Sequence, residues 1–148
     1  MIIHIAADHA GFELKEKIKQ FLSELGYEVR DHGAFKYDEK DDYPDFIRPA
    51  AEAVAKDPES RGIILGGSGQ GEAMVANRFK NVRAAVYYGG SEDIIKLSRE
   101  HNDANVLSLG ARFVSGQAAL DMVKLWLDTG FSGEERHKRR IQKIDGGE

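Results

Sequence analysis

The sequence predicts an α/β domain in which one doubly wound, five-stranded parallel sheet carries helices on both faces. Three observations lead to this fold class. Short apolar runs alternate along the chain with segments of helical period, which is the pattern of a parallel sheet covered by helices. A glycine-rich turn follows the third apolar run. The 148 residues have the length of one ordinary domain, and no repeat or linker divides them, so we predict a single domain over 1–148.

The first half of the sequence contains two strand–helix units. The apolar run at 2–7 is typical of a buried strand. Gly26 follows a segment of 3.6-residue period and is placed to end that helix. Pro44 suits the first turn of a second helix, where its missing N–H would have no helical partner. The predicted elements are a strand over 2–7, a helix over 12–25, a strand over 27–30, a polar loop over 33–42 and a helix over 44–55.

The second half repeats the alternation and adds a charged tail. A strand over 61–65 enters the glycine-rich loop at 66–71, and Ser91 is a candidate N-cap for the helix after the fourth strand. Five parallel strands in this length fit the flavodoxin-like or Rossmann-like plan, for which we predict the order 2-1-3-4-5. The remaining predicted elements are a helix ending near 79, a strand over 82–87, a helix over 91–99, a strand over 105–109, a helix over 115–127 and a C-terminal helix over 134–144.

The composition argues against several classes of protein. Hydrophobic residues make up 41% and charged residues 31% of the chain, as in globular proteins, and the net charge of −4 lacks the basic excess of a nucleic-acid-binding protein. Without cysteine, disulfides, thiolate metal sites and a cysteine nucleophile are excluded. The N-terminal residues do not resemble a signal peptide, and no stretch reaches the roughly 20 apolar residues of a membrane helix. We therefore expect a cytoplasmic protein.

Polar residues follow the first and third predicted strands, where an open parallel sheet binds its ligands. The loop after the first strand carries Asp8 and His9, and the fifth strand ends at Gly110-Ala111-Arg112. Because the switch in strand order lies between strands one and three, we expect their loops to face one crevice. The loop after the third strand supplies Gly67, Ser68, Gly69, Gly71 and Glu72.

The glycine-rich loop and Glu72 each allow two interpretations. Free N–H groups at the start of a helix can bind an anion, but glycines also simply permit a tight turn. The loop has neither a Walker A motif nor the dinucleotide fingerprint. Glu72 is either a surface residue that complements the helix dipole or a general base, whose pKa burial would raise and the helix N-terminus would lower. Ser68 lacks the partners of a nucleophile, so we interpret it as a ligand-contacting hydroxyl.

The histidines and the charged tail are equally ambiguous. A lone histidine is more often structural than catalytic, but the segment 99–105 surrounds His101 and Asn102 with donors and acceptors. Arg136 and Arg140 lie four residues apart and therefore share one side of a helix. They form either a solvated face or a phosphate clamp. No two histidines have i, i+4 spacing, so we predict no metal site.

Motifs typical of one protein family are spread in order over nearly the whole chain, and the segment 99–107 is specific to that family by itself. They are 8–15 (DHAGFELK), 42–46 (DYPDF), 67–72 (GSGQGE) with 76–77, 83–85 (RAA), 99–107 (REHNDANVL) with 110–112, and 136–137 with 140. In them the chain resembles the family of type B ribose-5-phosphate isomerases and galactose-6-phosphate isomerase subunits. Glu134-Glu135 departs from the pattern, since the family often has glycine there.

The resemblance implies that ribose 5-phosphate and ribulose 5-phosphate interconvert through a cis-enediolate without a metal or cofactor. Many family members have a cysteine base at the end of the third strand, where this sequence has Gly66. A subset uses a glutamate after the glycine loop, which matches Glu72. The resemblance also implies that His101 opens the sugar ring with help from Asp8, while Ser68 and the loop N–H groups stabilise the enediolate. The implied substrate ligands are His9, Gly67, Gly69, Gly71, Asn102, Arg112, Arg136 and Arg140.

The resemblance further implies a homodimer, or a tetramer, with sites built across the subunit interface. Three other functions stay open. A six-carbon sugar phosphate would be the substrate if the pocket were longer. A non-catalytic nucleotide- or flavin-binding module is opposed by the missing Walker lysine and by the carboxylate after the loop. A silent partner subunit of a heteromer is opposed by the joint presence of Glu72, His101 and Asp8.

Overall fold

The computed structural model describes residues 1–147, in which five strands alternate with helices as predicted. The helix after the fourth strand begins two residues later than expected, and the Ser91 hydroxyl accepts the Asp93 N–H at 3.1 Å in the turn before it. The elements are β1 Ile2–Ala7, α1 Phe12–Glu24, β2 Glu28–Asp31, α2 Pro44–Lys56, β3 Arg61–Gly66, α3 Gln70–Ala76, β4 Ala84–Tyr87, α4 Asp93–Glu100, β5 Val106–Gly110, α5 Gly116–Asp128 and α6 Glu135–Ile144, with a 3₁₀ turn over His9–Gly11.

The strands form one parallel sheet in the order 2-1-3-5-4, so the predicted order 2-1-3-4-5 was wrong for the last two strands. β5 pairs with β3 on one side and β4 on the other, with Leu107 opposite both Ile63 and Ala85. Every residue of β5 is buried, whereas three of the four residues of β4 are half-buried. β5 therefore fits the interior of the sheet, and β4 fits its edge.

The two helix layers explain how the chain reaches this order. α2 and α3 pack together on one face, while α1, α4 and α5 pack on the other. A right-handed crossover changes face when the chain reverses its direction across the sheet. The chain therefore moves outward from β3 through α3 to β4, and then back through α4 to β5.

Each helix layer covers a separate apolar core. Under α1, α4 and α5 the sheet contributes alternate residues such as Ile5, Leu65 and Leu107, which pack around Trp126. Under α2 and α3 the residues of opposite parity, such as Ile64, pack against Ile47. This alternation is what the period of two in a strand requires when both faces are covered. No helix within residues 1–147 combines the length and apolar character needed to cross a membrane.

The C-terminal helix α6 lies beside the amino ends of β4 and β5. The Asn81 N–H donates to the Asp145 carboxylate at 2.9 Å just beyond the end of α6. Near its start, the rings of His137 and His101 stack with their centroids 4.2 Å apart and their planes 17° apart. These contacts attach the helix to the loops at the edge of the sheet opposite to the carboxyl ends.

Candidate active site

Asp8 lies at the carboxyl end of β1 and begins the turn that leads into α1. Its side chain is buried, and Oδ1 accepts the N–H groups of Ala10 at 3.0 Å and Gly11 at 3.4 Å. A Cβ on Gly11 would lie 2.6 Å from the Cβ of Leu65. Glycine therefore lets this turn pass directly beside β3, which brings Asp8 to the glycine-rich loop.

The glycine-rich loop bends over the carboxyl end of β5. Gly69 has a φ of 78° and lies close to the backbone of Leu109, where a Cβ would be 3.0 Å from the carbonyl carbon. The Ser108 hydroxyl donates to the Gly69 carbonyl at 2.7 Å. Within the described part of the chain, the N–H groups of Ser68 and Gly69 donate no hydrogen bond. Both can therefore serve an anionic oxygen in the crevice.

Glu72 is buried at the floor of this crevice, with 4% of its surface exposed. Its carboxylate fills the space above Gly66, because a Cβ at that position would overlap it. Burial raises the pKa of Glu72, and its own backbone N–H lowers it. The negative charge of Asp8 raises the pKa further. The surface interpretation of Glu72 was thus wrong, and burial outweighs the stabilising N–H. A carboxylate with a raised pKa is better matched to proton abstraction near neutrality.

Arg112 extends over the glycine-rich loop from the end of β5. Its backbone N–H donates to the Gly67 carbonyl at 3.1 Å, and its Nη1 lies 3.0 Å from where a Cβ on Gly67 would stand. This placement depends on the observed strand order, since β5 rather than β4 adjoins β3. The exposed guanidinium therefore faces the same crevice as Asp8 and Glu72.

His9 borders the crevice and is hydrogen-bonded to Asp41, which comes from the loop between β2 and α2. The His9 Nδ1 and Asp41 Oδ1 atoms are 2.7 Å apart. This hydrogen bond raises the pKa of His9; partial burial and Arg112 oppose it, while the charges of Asp8 and Asp41 reinforce it. The hydrogen bond to Asp41 therefore favours the protonated form of the His9 imidazole.

Asp8, His9 and Asp41 each offer a possible metal-ligand atom, and these atoms lie within 4.8 Å of one another. Two of the side chains are already engaged with each other, and Asp8 accepts two backbone N–H groups. This donor set therefore serves an internal hydrogen-bond network as it stands, and a cation would have to displace part of it.

Four predicted site residues lie elsewhere: His101, Asn102, Arg136 and Arg140. The Asn102 carbonyl accepts from Arg83 Nε at 3.1 Å, and the Asn105 carbonyl accepts from the Gly62 N–H at 2.9 Å. These contacts fix the segment before β5 at the amino ends of the strands. The five residues of β5 alone separate the two ends by roughly 16 Å. One chain therefore does not bring these four residues to the crevice.

The arginines of α6 are exposed, as a clamp for an external ligand would require. Arg136 donates from Nη1 to Glu134 Oε1 at 2.7 Å, which lowers the pKa of Glu134. The departure from the family pattern at 134 thus supplies a local partner for this arginine. A phosphate would compete with an exposed carboxylate for Arg136, and such surface pairs are weak.

Sequence reasoning missed Asp41 and Tyr43. Asp41 belongs to the predicted polar loop over 33–42, to which the sequence assigns no role. The carboxyl end of β2 neighbours that of β1, however, so an acid in this loop can reach His9. Tyr43 packs on the glycine-rich loop, where a Cβ on Gly71 would lie 2.5 Å from the tyrosine hydroxyl. Its position at the start of the 42–46 motif was a signal for a site residue.

Known proteins match this chain over nearly its full length. A family model described as Ribose/Galactose Isomerase matches residues 3–144. The ribose-5-phosphate isomerase B of Mycolicibacterium paratuberculosis is 43% identical over 141 residues, which cover 95% of this chain and 87% of that protein.

Solved structures agree in sequence and in fold. The ribose-5-phosphate isomerase B of Clostridium thermocellum is 45% identical, has a TM-score of 0.92, and covers 98% of this chain and 95% of its own. That of Mycoplasma genitalium, solved with bound ribulose 5-phosphate, is 41% identical with a TM-score of 0.92 and covers 97% and 93%. The chain therefore belongs to the ribose/galactose isomerase family.

Proposed function

We propose that the protein is an aldose–ketose isomerase that interconverts ribose 5-phosphate and ribulose 5-phosphate without a metal, using Glu72 as the base. The observation that carries this proposal is the buried Glu72 carboxylate above Gly66, beside a loop in which two N–H groups have no partner among residues 1–147. The relative from Mycoplasma genitalium with bound ribulose 5-phosphate supports the choice of substrate.

The carbon chemistry requires one carboxylate to move one proton between two neighbouring carbons. Once the sugar ring is open, Glu72 removes the proton from C2 of the aldose and returns it to C1. The hydroxyl proton of O2 passes to O1 in the enediolate, so that the carbonyl moves from C1 to C2. The hydrogen on a carbon next to a carbonyl is a weak acid, and the burial that raises the pKa of Glu72 makes this carboxylate a stronger base.

The negative charge that develops on the enediolate oxygen needs donors. The N–H groups of Ser68 and Gly69 donate to no other group in the described part of the chain, and the Ser68 hydroxyl lies in the same loop. Donors held in place before the reaction stabilise such a charge without reorganisation, and the loss of one costs about 3 kcal/mol in comparable sites. Asp8, beside Glu72, is placed to contact the sugar hydroxyls during ring opening.

The phosphate and the ring-opening acid call for a second subunit. His9 and Arg112 provide two hydrogen-bond donors for a phosphate at the crevice, while His101, Asn102, Arg136 and Arg140 lie at the opposite end of the sheet. In a two-fold homodimer, the amino-end group of one subunit can face the crevice of the other. We infer that His101 of one subunit opens the ring and that its two arginines complete the phosphate site of its partner.

The test is turnover of ribose 5-phosphate in EDTA by the wild type, Glu72→Gln and Glu135→Gln. Glutamine keeps the shape of Glu72 but cannot accept the proton, so we expect kcat to fall about 10³-fold or more. Substrate affinity, measured by calorimetry, should stay within about threefold because the phosphate grip is untouched. Glu135 also lies in the first turn of a helix but is exposed, so its variant should match the wild type.

Three results would contradict the proposal. Full activity of Glu72→Gln would remove Glu72 as the base. A wild type that converts six-carbon aldose phosphates but not ribose 5-phosphate would correct the substrate, and loss of activity in EDTA that Mn²⁺ or Zn²⁺ restores would correct the metal-free mechanism.

A further inference from the structure

Asp41 holds His9 by two hydrogen bonds to one oxygen. The Asp41 Oδ1 atom accepts the backbone N–H of His9 at 3.1 Å and lies 2.7 Å from its Nδ1. The Asp41 side chain is only 8% exposed, and the His9 side chain is 23% exposed. The carboxylate therefore fixes both the backbone and the ring of a residue that is 32 positions away in the sequence.

This arrangement leaves one ring nitrogen for a ligand. Because Nδ1 faces Asp41, a substrate anion can meet His9 at Nε2. The Tyr37 ring stands edge-on to the imidazole, with the centroids 6.2 Å apart and the planes 89° apart. Two neighbours thus limit the rotation of the ring. A carboxylate behind one nitrogen of a histidine is a general way to orient the other nitrogen toward its ligand.

The charges around His9 also favour its protonated form. Asp41 and Asp8 are the carboxylates that face it, and Arg112 is the opposing cation. The second oxygen of Asp41 is buried and accepts no hydrogen bond from the described residues. Among these residues, His9 is also the one ionic partner of Asp41. Burying a carboxylate this far is costly unless the imidazole beside it carries the compensating charge.

We propose that Asp41 is a positioning residue, which keeps His9 charged and aims its Nε2 at the substrate phosphate. This role rests on the proposed function, because it assumes that the phosphate binds at the His9 and Arg112 end of the crevice. Asp41 itself touches no substrate and acts through His9. Its contribution appears in substrate affinity rather than in the proton transfer at Glu72.

The first test compares Asp41→Asn with Asp38→Asn. Asp38 is an exposed acid of the same loop, and its Oδ1 accepts the Lys40 N–H, which asparagine can still do. In Asp41→Asn the KM for ribose 5-phosphate should rise about tenfold at neutral pH, with kcat nearly unchanged. The rise should shrink in acid, where His9 is protonated in both proteins. A purely structural role would raise KM equally at every pH, which would overturn the proposal.

The second test needs no turnover. Nuclear magnetic resonance measures the titration of the His9 ring, whose signals are assigned by comparison with His9→Gln. The same method measures the affinity for inorganic phosphate. The His9 midpoint should move to lower pH in Asp41→Asn, and phosphate should bind the double variant Asp41→Asn/His9→Gln as it binds His9→Gln alone. An unchanged midpoint, or additive losses in the double variant, would overturn the role of Asp41. Failure of the wild type to isomerise any sugar phosphate would overturn the proposed function while leaving this test decisive.

Discussion

At the residue scale, one glycine makes room for the proposed base. Gly66 ends β3, and the Glu72 carboxylate occupies the volume that a side chain at position 66 would need. A cysteine at position 66 would present its thiol to the same volume. The two positions are therefore alternatives, since a side chain at one excludes the carboxylate from the other.

We predict that Gly66→Ala reduces kcat sharply although the new methyl group carries no charge. The Cβ would push the Glu72 carboxylate away from the crevice, and a displacement of about 1 Å can cost about 10²-fold in rate. Steady-state kinetics on the folded variant, checked by circular dichroism, measures the loss. Gly130→Ala is the control, because a Cβ there would meet no described residue within 4 Å. Equal activity of both variants would contradict the claim that the Glu72 carboxylate needs the space above Gly66.

At the scale of elements, a buried ion pair ties α1 to the end of β2. The Lys15 side chain on α1 is fully buried, and its Nζ donates to both carboxylate oxygens of Asp31 at 2.7 and 2.9 Å. Asp31 also accepts the Gly33 N–H at 2.8 Å, and the Gly33 carbonyl accepts the Ala7 N–H at 2.8 Å. This chain of contacts fixes the end of β1, from which Asp8 and His9 extend.

We predict that Asp31→Asn destabilises the protein by about 3 kcal/mol near neutral pH, because the buried Lys15 ammonium loses its main counter-charge. The control Glu28→Gln breaks an exposed pair with Arg30 and should cost less than about 1 kcal/mol. Urea unfolding of both variants and the wild type measures these differences.

The same comparison has a defined pH dependence. Burial would raise the pKa of Asp31, but hydrogen bonds from Lys15, Lys19 and the Gly33 N–H outweigh it and lower the pKa. The stabilisation is therefore complete above the unfolded-state pKa of about 3.9 and is lost as the pH falls through the lower folded-state value. The gap between wild type and Asp31→Asn should close in strong acid. A difference in the free energy of unfolding that stays constant down to strong acid would contradict the assignment of this stabilisation to the Asp31 carboxylate.

At the scale of the whole molecule, the predicted site residues fall into two groups at opposite ends of the sheet. The carboxyl-end group contains Asp8, His9, the glycine-rich loop, Glu72 and Arg112. The amino-end group contains His101, Asn102, Arg136 and Arg140, supported by the stack of His137 on His101. Neither group alone supplies both the base and the ring-opening acid of the proposed reaction.

We predict that two inactive variants restore each other when their subunits combine. Differently tagged Glu72→Gln and His101→Gln chains are co-expressed, and a hybrid of the proposed homodimer is isolated by both tags. One of its two sites is intact, so turnover per dimer should be about half that of the wild type. A hybrid of Glu72→Gln with Asp8→Asn has both changes in the carboxyl-end group and should stay inactive. Equal inactivity of the two hybrids would contradict a shared site.

The sequence by itself determined the elements and much of the crevice. Pro44 and Gly26 act on the backbone of their own turns, and the periods of two and 3.6 residues are read within a single strand or helix. The helix predicted over 44–55 is therefore close to the observed α2, Pro44–Lys56. The rule that parallel strands share a carboxyl edge was sufficient to bring Asp8 and the glycine-rich loop together.

Only the tertiary structure decided the order of the last two strands, the burial of Glu72 and the pairing of His9 with Asp41. It also separated His101 and the α6 arginines from the crevice. Each of these features depends on contacts between residues distant in the sequence, which no local period encodes. The face that a crossover helix takes decides where β5 lies, and the packing above Gly66 decides whether desolvation or a backbone N–H controls the pKa of Glu72.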